Sequence, residues 1–377
     1  MSNKEQIAVN NDIYKVTDKT FELSNKNEWF SQEQFISSLN IPNTSSMDNL
    51  LPSELNSSVF DPVPLKALVN SIELNAKIIK NKTILVIDSN IGLIPLLCLK
   101  AGASKIYSVE PNNTHYQYQK RILNDNNQYI NNKNRIILFN KDIYDLTTHD
   151  IPTEVDIIIC QWMGTWLLQF SLIKEVIYAR DTFLKPNGLI LPSKARLYVA
   201  TIENMSLRER KLNFWDNIYN INMTCLKQEG LSDPMLRKVS TKRINSDECC
   251  VYEIDMNTII EDDLNFSNEY LVEIKQNNDH VSGLVSWFDI EFSSLSNKIK
   301  YTTSPYGTRT QWKQMSFYFD KDIPVNKGDV IYGSIASKVN DEWDEMGGLD
   351  VKISYHLYSK KNNTNENIKG IQLYKIK

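Results

Sequence analysis

The sequence lacks the marks of several large functional classes. It contains no apolar run of about 18 residues, which argues against a membrane-crossing helix. Its four histidines (His115, His149, His280, His356) show no ligand spacing, and its five cysteines (Cys98, Cys160, Cys225, Cys249, Cys250) form no CxxC pair. No structural metal is therefore expected, and the thiols are expected to be reduced. Positive charge is not in excess: 42 Lys and Arg stand against 46 Asp and Glu, for a net charge of -4 and a pI near 5.7. That balance argues against a nucleic-acid binder and leaves room for a basic protein partner. The opening residues MSNKEQIAVNNDIYK hold no apolar signal stretch, so the expected compartment is the cytoplasm or nucleus.

At 377 residues, with 41% hydrophobic and 23% charged residues, the chain suits two folded domains. Residues 1–55 are mixed and polar, and they read as a poorly ordered arm. Asparagine-rich stretches at 124–134 and 362–367 read as solvated loops. From Leu65 onward a helical pattern, LKALVNSIELNAKII, leads into TILVID, and short β-rich runs then alternate with amphipathic segments: KIYSVE, RIILFN, VDIIIC and GLILP. Alternating β and α implies a parallel sheet covered by helices over 56–192. After Pro192 the runs ARLYVATI, YLVEIK, GLVSWFDIEF, QMSFYF and DVIYGSIA follow with few helices between them, so an antiparallel barrel or sandwich is expected over 193–377. Within it, residues 203–226 carry Leu212, Trp215, Ile218 and Tyr219 at helical spacing. These could be a helix packed on its own domain or an exposed stripe used for association.

The unit TILVIDSNIGLIPLLCLKAGASKIYSVEP reads as strand, turn, helix and strand, with Glu110 ending the second strand. In nucleotide-type sites an acid there accepts hydrogen bonds from ribose hydroxyls, while glycines in the first turn let the backbone approach the ligand. The turn DSNIG holds one glycine, Gly92, so a purely structural unit would explain it about as well. Five blocks in order carry a wider likeness: LKAGASKIYSVEP, VDIIICQWMG, ARDTFLKPNGLILPSKARLYVA, FWDNIYNINMTC and TSPYGTRTQWKQMSFYF. Together they resemble the protein arginine methyltransferase family, over most of the chain from Leu65. The resemblance implies a Rossmann-like domain for S-adenosylmethionine followed by a β-barrel, with 203–226 as a helical dimerisation arm.

Carried over residue by residue, the resemblance also shows losses. Without gaps, the family's Asp-x-Gly-x-Gly-x-Gly falls on Val86, Ile87, Asp88, Ser89, Asn90, Ile91 and Gly92, which removes the acid and two glycines. Asp88 would sit where backbone faces the cofactor's carboxylate, and like charges repel. A shifted register with Asp88 as the family acid breaks the glycine spacing. The cofactor-gripping arginine falls on Asn70, and the acid that contacts adenine on Ile143, with Asp142 beside it as a substitute. Cofactor binding is expected to be weak or lost, with Glu110, Gly92 and Asp142 as its remnants.

Methyl transfer to arginine needs the always-charged, five-donor guanidinium clamped and aimed at the methyl group. In this family two glutamates flanking a WMG turn do this. Their positions here are Gln161 and Phe170, with Gln169 beside the second, and the Thr-His-Trp loop reads Thr310, Gln311, Trp312. Losing two charge-assisted contacts of about 1.5 to 3 kcal/mol each lowers transition-state binding by roughly 10² to 10⁴. Another carboxylate from elsewhere could restore the charge. The expected function is a catalytically inactive, prozyme-like homologue that pairs with an active arginine methyltransferase and helps it with basic substrates. A divergent active methyltransferase and a non-catalytic binder of arginine-rich peptides are the alternatives.

Overall fold

Short runs of isoleucine, valine and leucine build the first sheet: β3 (Thr83–Ile87), β4 (Lys105–Val109), β5 (Ile136–Phe139), β6 (Val155–Ile159) and β7 (Leu184–Leu191). The computed structural model describes residues 61–126, 135–277, 280–340, 348–360 and 364–377, together with a short antiparallel pair, β1 (Ile7–Val9) and β2 (Asp12–Tyr14). The rest of the expected arm over 1–55 lies outside the described residues, as does most of 124–134. The strand order is β5-β4-β3-β6-β7, all parallel. Neighbours reverse between β3 and β6, which places a ligand crevice at the carboxyl ends of those two strands. Burial of both faces accounts for the near-continuous apolar runs of β3 and β4.

Helices cover this sheet. The expected 65–79 helix is two pieces, α1 (Pro62–Glu73) and α2 (Ala76–Ile79). Asn75 breaks it, because its side chain is engaged across the molecule, accepting from Asn297 N–H at 3.0 Å. α1 starts at a true cap: Asp61 accepts from Val63 N–H, and Pro62 needs no donor at the first helical position. α3 (Leu93–Lys100), α4 (Asn113–Asp125) and α5 (Ile173–Phe183) follow. No helix among the described residues is long and apolar enough to cross a membrane.

Beyond Pro192 the chain forms two antiparallel sheets. One is ordered β10-β8-β12-β14-β9, with β13 paired to β12: β8 (Lys194–Ile202), β9 (Met235–Arg237), β10 (Cys249–Asp255), β12 (His280–Phe292), β13 (Ile299–Thr302) and β14 (Gln314–Pro324). The other is β11 (Phe266–Glu273), β15 (Val330–Val339), β16 (Leu349–Ser359) and β17 (Thr364–Ile376), in that order. β10 lies beside β11 and β14 beside β17, so the two sheets wrap round a common interior in the manner of a barrel.

One continuous apolar core joins the two halves, running from Leu68 and Ile158 through Trp162 and Trp166 to Phe288 and Phe317. Polar ties reinforce it. Arg180 of α5 donates to the carbonyls of Met256 and Ile259 at 2.9 and 2.8 Å, and Trp166 Nε1 donates to Ser286 Oγ of β12 at 2.9 Å. Trp166 is 2% exposed and Ser286 is fully buried, so Trp166→Phe leaves a buried hydroxyl without its donor. We expect that change to cost about 1 to 2 kcal/mol in urea denaturation. An unchanged midpoint would show that the bond contributes nothing to joining the halves.

Candidate functional site

The loop leaving β6 is closed on itself. Gly164 N–H donates to Leu167 O at 2.9 Å and Leu167 N–H donates back at 3.1 Å, while Gln169 N–H donates to Thr165 O at 3.0 Å. This tight reversal requires positive φ at Trp166 (49°) and Leu167 (70°). It also requires glycine at 164, where a Cβ would stand 1.8 Å from the Gln169 carbonyl oxygen. Two indoles hold the loop down: Trp162 Nε1 donates to Pro192 O at 3.0 Å, and Trp166 reaches Ser286. Of the two flanking positions, Gln161 is half-buried and lines the crevice, whereas Phe170 has φ 55° and is 61% exposed. Gln169 beside it is buried, with its amide nitrogen unpartnered among the described residues.

The turn after β3 has positive φ at alternate residues: Asp88 at 51°, Asn90 at 54° and Gly92 at 87°. Aspartate and asparagine tolerate this region best among non-glycine residues, at about 1 kcal/mol each. Glu110, fully buried, takes Asn90 N–H at 2.7 Å on one oxygen and Asn112 N–H at 2.9 Å on the other. Buried Gln119 of α4 donates to Ser89 Oγ at 2.9 Å and Asn90 O at 3.3 Å, and accepts from Ser108 Oγ at 3.1 Å. It fills the space against Gly92, where a Cβ would lie 2.6 Å from Gln119 Cγ. Gln119 was not foreseen, because its partners lie 11 to 30 residues away and no local motif marks it. Burial, then the neighbouring Asp88, push the Glu110 carboxyl up to about 7, with His115 Nδ1 3.8 Å away.

Where β3 and β6 end there is a pocket of about 50 Å³. It is walled by Leu65, Leu68, Leu93, Ile94 and Ile159 and carries Asp88, Asn90 and Gln161 among its polar groups. Asp88 is its one charged residue, and burial raises that carboxyl above the usual range while His115 pulls it back. The Oδ1 of Asn90 is buried without a hydrogen-bond partner among the described residues.

Comparison with known proteins decides the family. Residues 193–360 match the arginine methyltransferase oligomerization subdomain. The chain is 32% identical over 311 residues to protein arginine N-methyltransferase 1 of Caenorhabditis elegans, covering 81% of this chain and 86% of that one. It is 34% identical over 273 residues to protein arginine N-methyltransferase 8-B of Danio rerio, covering 72% of this chain but 63% of the relative's length. The chain belongs to the protein arginine methyltransferase family. The fold is similar to that of a chain in the solved Trypanosoma brucei PRMT1 enzyme-prozyme heterotetrameric complex with AdoHcy, with a TM-score of 0.77 and 23% identity over 86% of this chain and 100% of that one.

Within this arginine methyltransferase frame, the alternating positive φ at 88, 90 and 92 matches the ungapped placement of the glycine motif. The crevice encloses about 50 Å³, where sites for ligands of the family cofactor's size enclose roughly 300 to 1,000 Å³. Each Glu110 oxygen accepts one backbone N–H and keeps a second lone pair. Neither the expected remnant Asp142 nor Asn70, at the arginine position, is in the pocket lining. Asp142 is exposed and caps a short helical turn, accepting from Tyr144 N–H at 3.0 Å. Asn70 does not line the pocket, because α1 turns Leu65 and Leu68 towards it. Gln311 is half-buried, and its N–H donates to Asp61 at 2.6 Å, while Trp312 is buried against Phe288 and Tyr301.

The arm differs from the expected single helix. Residues 203–226 form α6 (Met205–Asn213), a 3-10 turn over 214–216 and a tight reversal bridging Ile218 and Ile221. Asparagine side chains end the helix by taking backbone donors themselves: Asn217 accepts from Asn220 N–H at 2.8 Å and Asn222 from Thr224 N–H at 2.9 Å. The four residues of the expected stripe therefore part company. Leu212 is buried, Trp215 and Ile218 are half-buried, and Tyr219 is 94% exposed at φ 52°, with Phe214 and Ile221 also exposed.

Gly164→Ala should destabilise the protein by about 2 to 3 kcal/mol, read by denaturant unfolding; a neutral result would mean that the loop opens without penalty. Glu110 binds its proton more tightly folded (about 7) than at its ordinary 4.5. Its contribution is thus present below pH 4.5 and is lost as pH rises towards 7. Unfolding free energy should fall across that window, with a shallower fall in Glu110→Gln; parallel curves would show that the buried carboxyl stays ionised.

Proposed function

We propose that this chain is a catalytically silent member of the family that acts as a regulatory subunit, associating through the arm with an active arginine methyltransferase. The observation carrying this is the pair of clamp positions: an uncharged Gln161 at the crevice and an exposed Phe170 outside it. Neither can hold a guanidinium for attack, and the self-occupied turn at 88–92 argues for weak or lost S-adenosylmethionine binding. The apolar tip of Phe214, Tyr219 and Ile221, standing on an otherwise well-packed barrel, supports a role in association. The likeness to an enzyme-prozyme complex points the same way. A divergent enzyme is less favoured, because neither clamp position, Gln161 nor Phe170, carries a carboxylate.

Co-expression with an active family member tests the proposal. We expect the two chains to co-purify, methylation of an arginine-rich peptide to rise several-fold over the partner alone, and the chain by itself to give no heat with S-adenosylmethionine. The triple change Phe214→Ser, Tyr219→Ser, Ile221→Ser should abolish co-purification at unchanged thermal stability. Transfer by the isolated chain, or a partner indifferent to its presence, would end this reading.

A further inference from the structure

The segment that runs beside the root of the arm is basic in a chain that is acidic overall. Arg237, Lys238, Lys242 and Arg243 fall within the stretch RKVSTKR, and no acid stands between Asp233 and Asp247. Ser240 sits in their midst, with an arginine and a lysine three and two positions before it. A basic run is most often just a solvated face. This one also has an open hydroxyl, a fixed backbone and a second job for one of its cations.

Ser240 is exposed, as are Arg237, Lys238 and Lys242, and its hydroxyl makes no capping bond to the 3-10 turn over 241–243. The chain leading to it is already extended, the form in which a kinase groove takes its substrate: β9 is the last strand of its sheet, and Ser240 has φ −74° and ψ 135°. Val239, 7% exposed, anchors the segment by donating its N–H to Gln314 at 2.8 Å and by packing in one cluster with Leu212 and Leu231. Arg243 carries the link to the arm. Its N–H donates to Ser240 O at 2.9 Å, one turn away, its carbonyl accepts from Glu203 N–H at 2.8 Å, and its guanidinium donates to Glu203 Oε2 at 2.6 Å. The other oxygen of Glu203 accepts at 3.4 Å from the N–H of Met205, the first residue of α6. One carboxylate thus ties the basic segment to the start of the arm.

We propose that Ser240 is a phosphorylation site for a kinase that reads basic residues two and three positions before its serine, and that the phosphate draws Arg243 off Glu203 and loosens the arm at its root. In the transfer, the bond from the γ-phosphorus of ATP to its β,γ-bridging oxygen breaks, a bond to Ser240 Oγ forms, the hydroxyl proton passes to the catalytic aspartate of the kinase, and ADP leaves. A phosphate brings up to two negative charges and three acceptor oxygens, so among these cations it outcompetes a singly charged carboxylate. The bearing on pairing with a partner rests on the regulatory reading above; the site and the loosening do not.

The full-length chain is incubated with ATP and the catalytic subunit of a cyclic-nucleotide-dependent serine kinase. The phosphate is located by fragmentation mass spectrometry, and amide hydrogen exchange is followed over Leu207 to Leu212. Ser240 should carry the phosphate, with roughly tenfold slower incorporation when Arg237→Gln and Lys238→Gln are combined and none at that position in Ser240→Ala. Exchange in α6 should rise about fivefold on phosphorylation. Glu203→Gln gives up the same ion pair, so it should raise exchange in the unmodified chain, and phosphorylation should then add nothing. Phosphate only at other residues, or at Ser240 only after unfolding in urea, overturns the proposal, and so does exchange that a phosphate at Ser240 leaves unchanged. None of these readouts involves a partner, so an active methyltransferase indifferent to the chain would end the regulatory reading and leave this one standing.

Discussion

Two indole hydrogen bonds, Trp162 to the Pro192 carbonyl and Trp166 to Ser286, fix the segment that leaves β6 between the parallel sheet and the antiparallel strands. Both rings are buried in the one core that spans the molecule. A buried N–H without an acceptor costs more than the bond itself contributes, so each indole admits one placement of the loop. Everything that flanks the loop inherits that placement: Gln161 on the crevice, Phe170 on the surface, and Gly164 pressed against the Gln169 carbonyl. The shape needed to present two charged side chains is thus kept by residues that carry no charge.

The turn after β3 shows the same separation of shape from chemistry. Left-handed backbone at alternate residues ordinarily calls for glycine, yet here Asp88 and Asn90 adopt it. The conformation is held from outside by Glu110 and Gln119, whose hydrogen bonds reach the turn from the next strand and helix. A carboxylate at 88 also places a negative charge in the crevice.

Much of the architecture was legible in the sequence because it rests on local pattern. TILVI, KIYSV and VDIII are β-branched runs of strand length, and the helices between them carry their apolar residues at helical spacing. Gln161 and Phe170 could be placed because the WMG turn fixes their distance from it. What escaped notice depends on groups distant in sequence or on the phase of a helix. Gln119 bonds across 11 and 30 residues, and Asn75 is drawn out of its helix by Asn297. The arm was read as one helix because apolar spacing was weighed, and the asparagines at 217, 220 and 222, which favour local side-chain bonds, were not.

The self-closed turn has a consequence for how much of this protein a cell holds. A fold completed by a ligand gains stability that grows with the logarithm of ligand concentration, so its folded amount follows the ligand pool. The bonds that Glu110 and Gln119 make to residues 89 and 90 are intramolecular and vary with the concentration of nothing. On the reading proposed above, the folded amount of the chain and the stoichiometry of its assembly do not follow the methyl-donor pool.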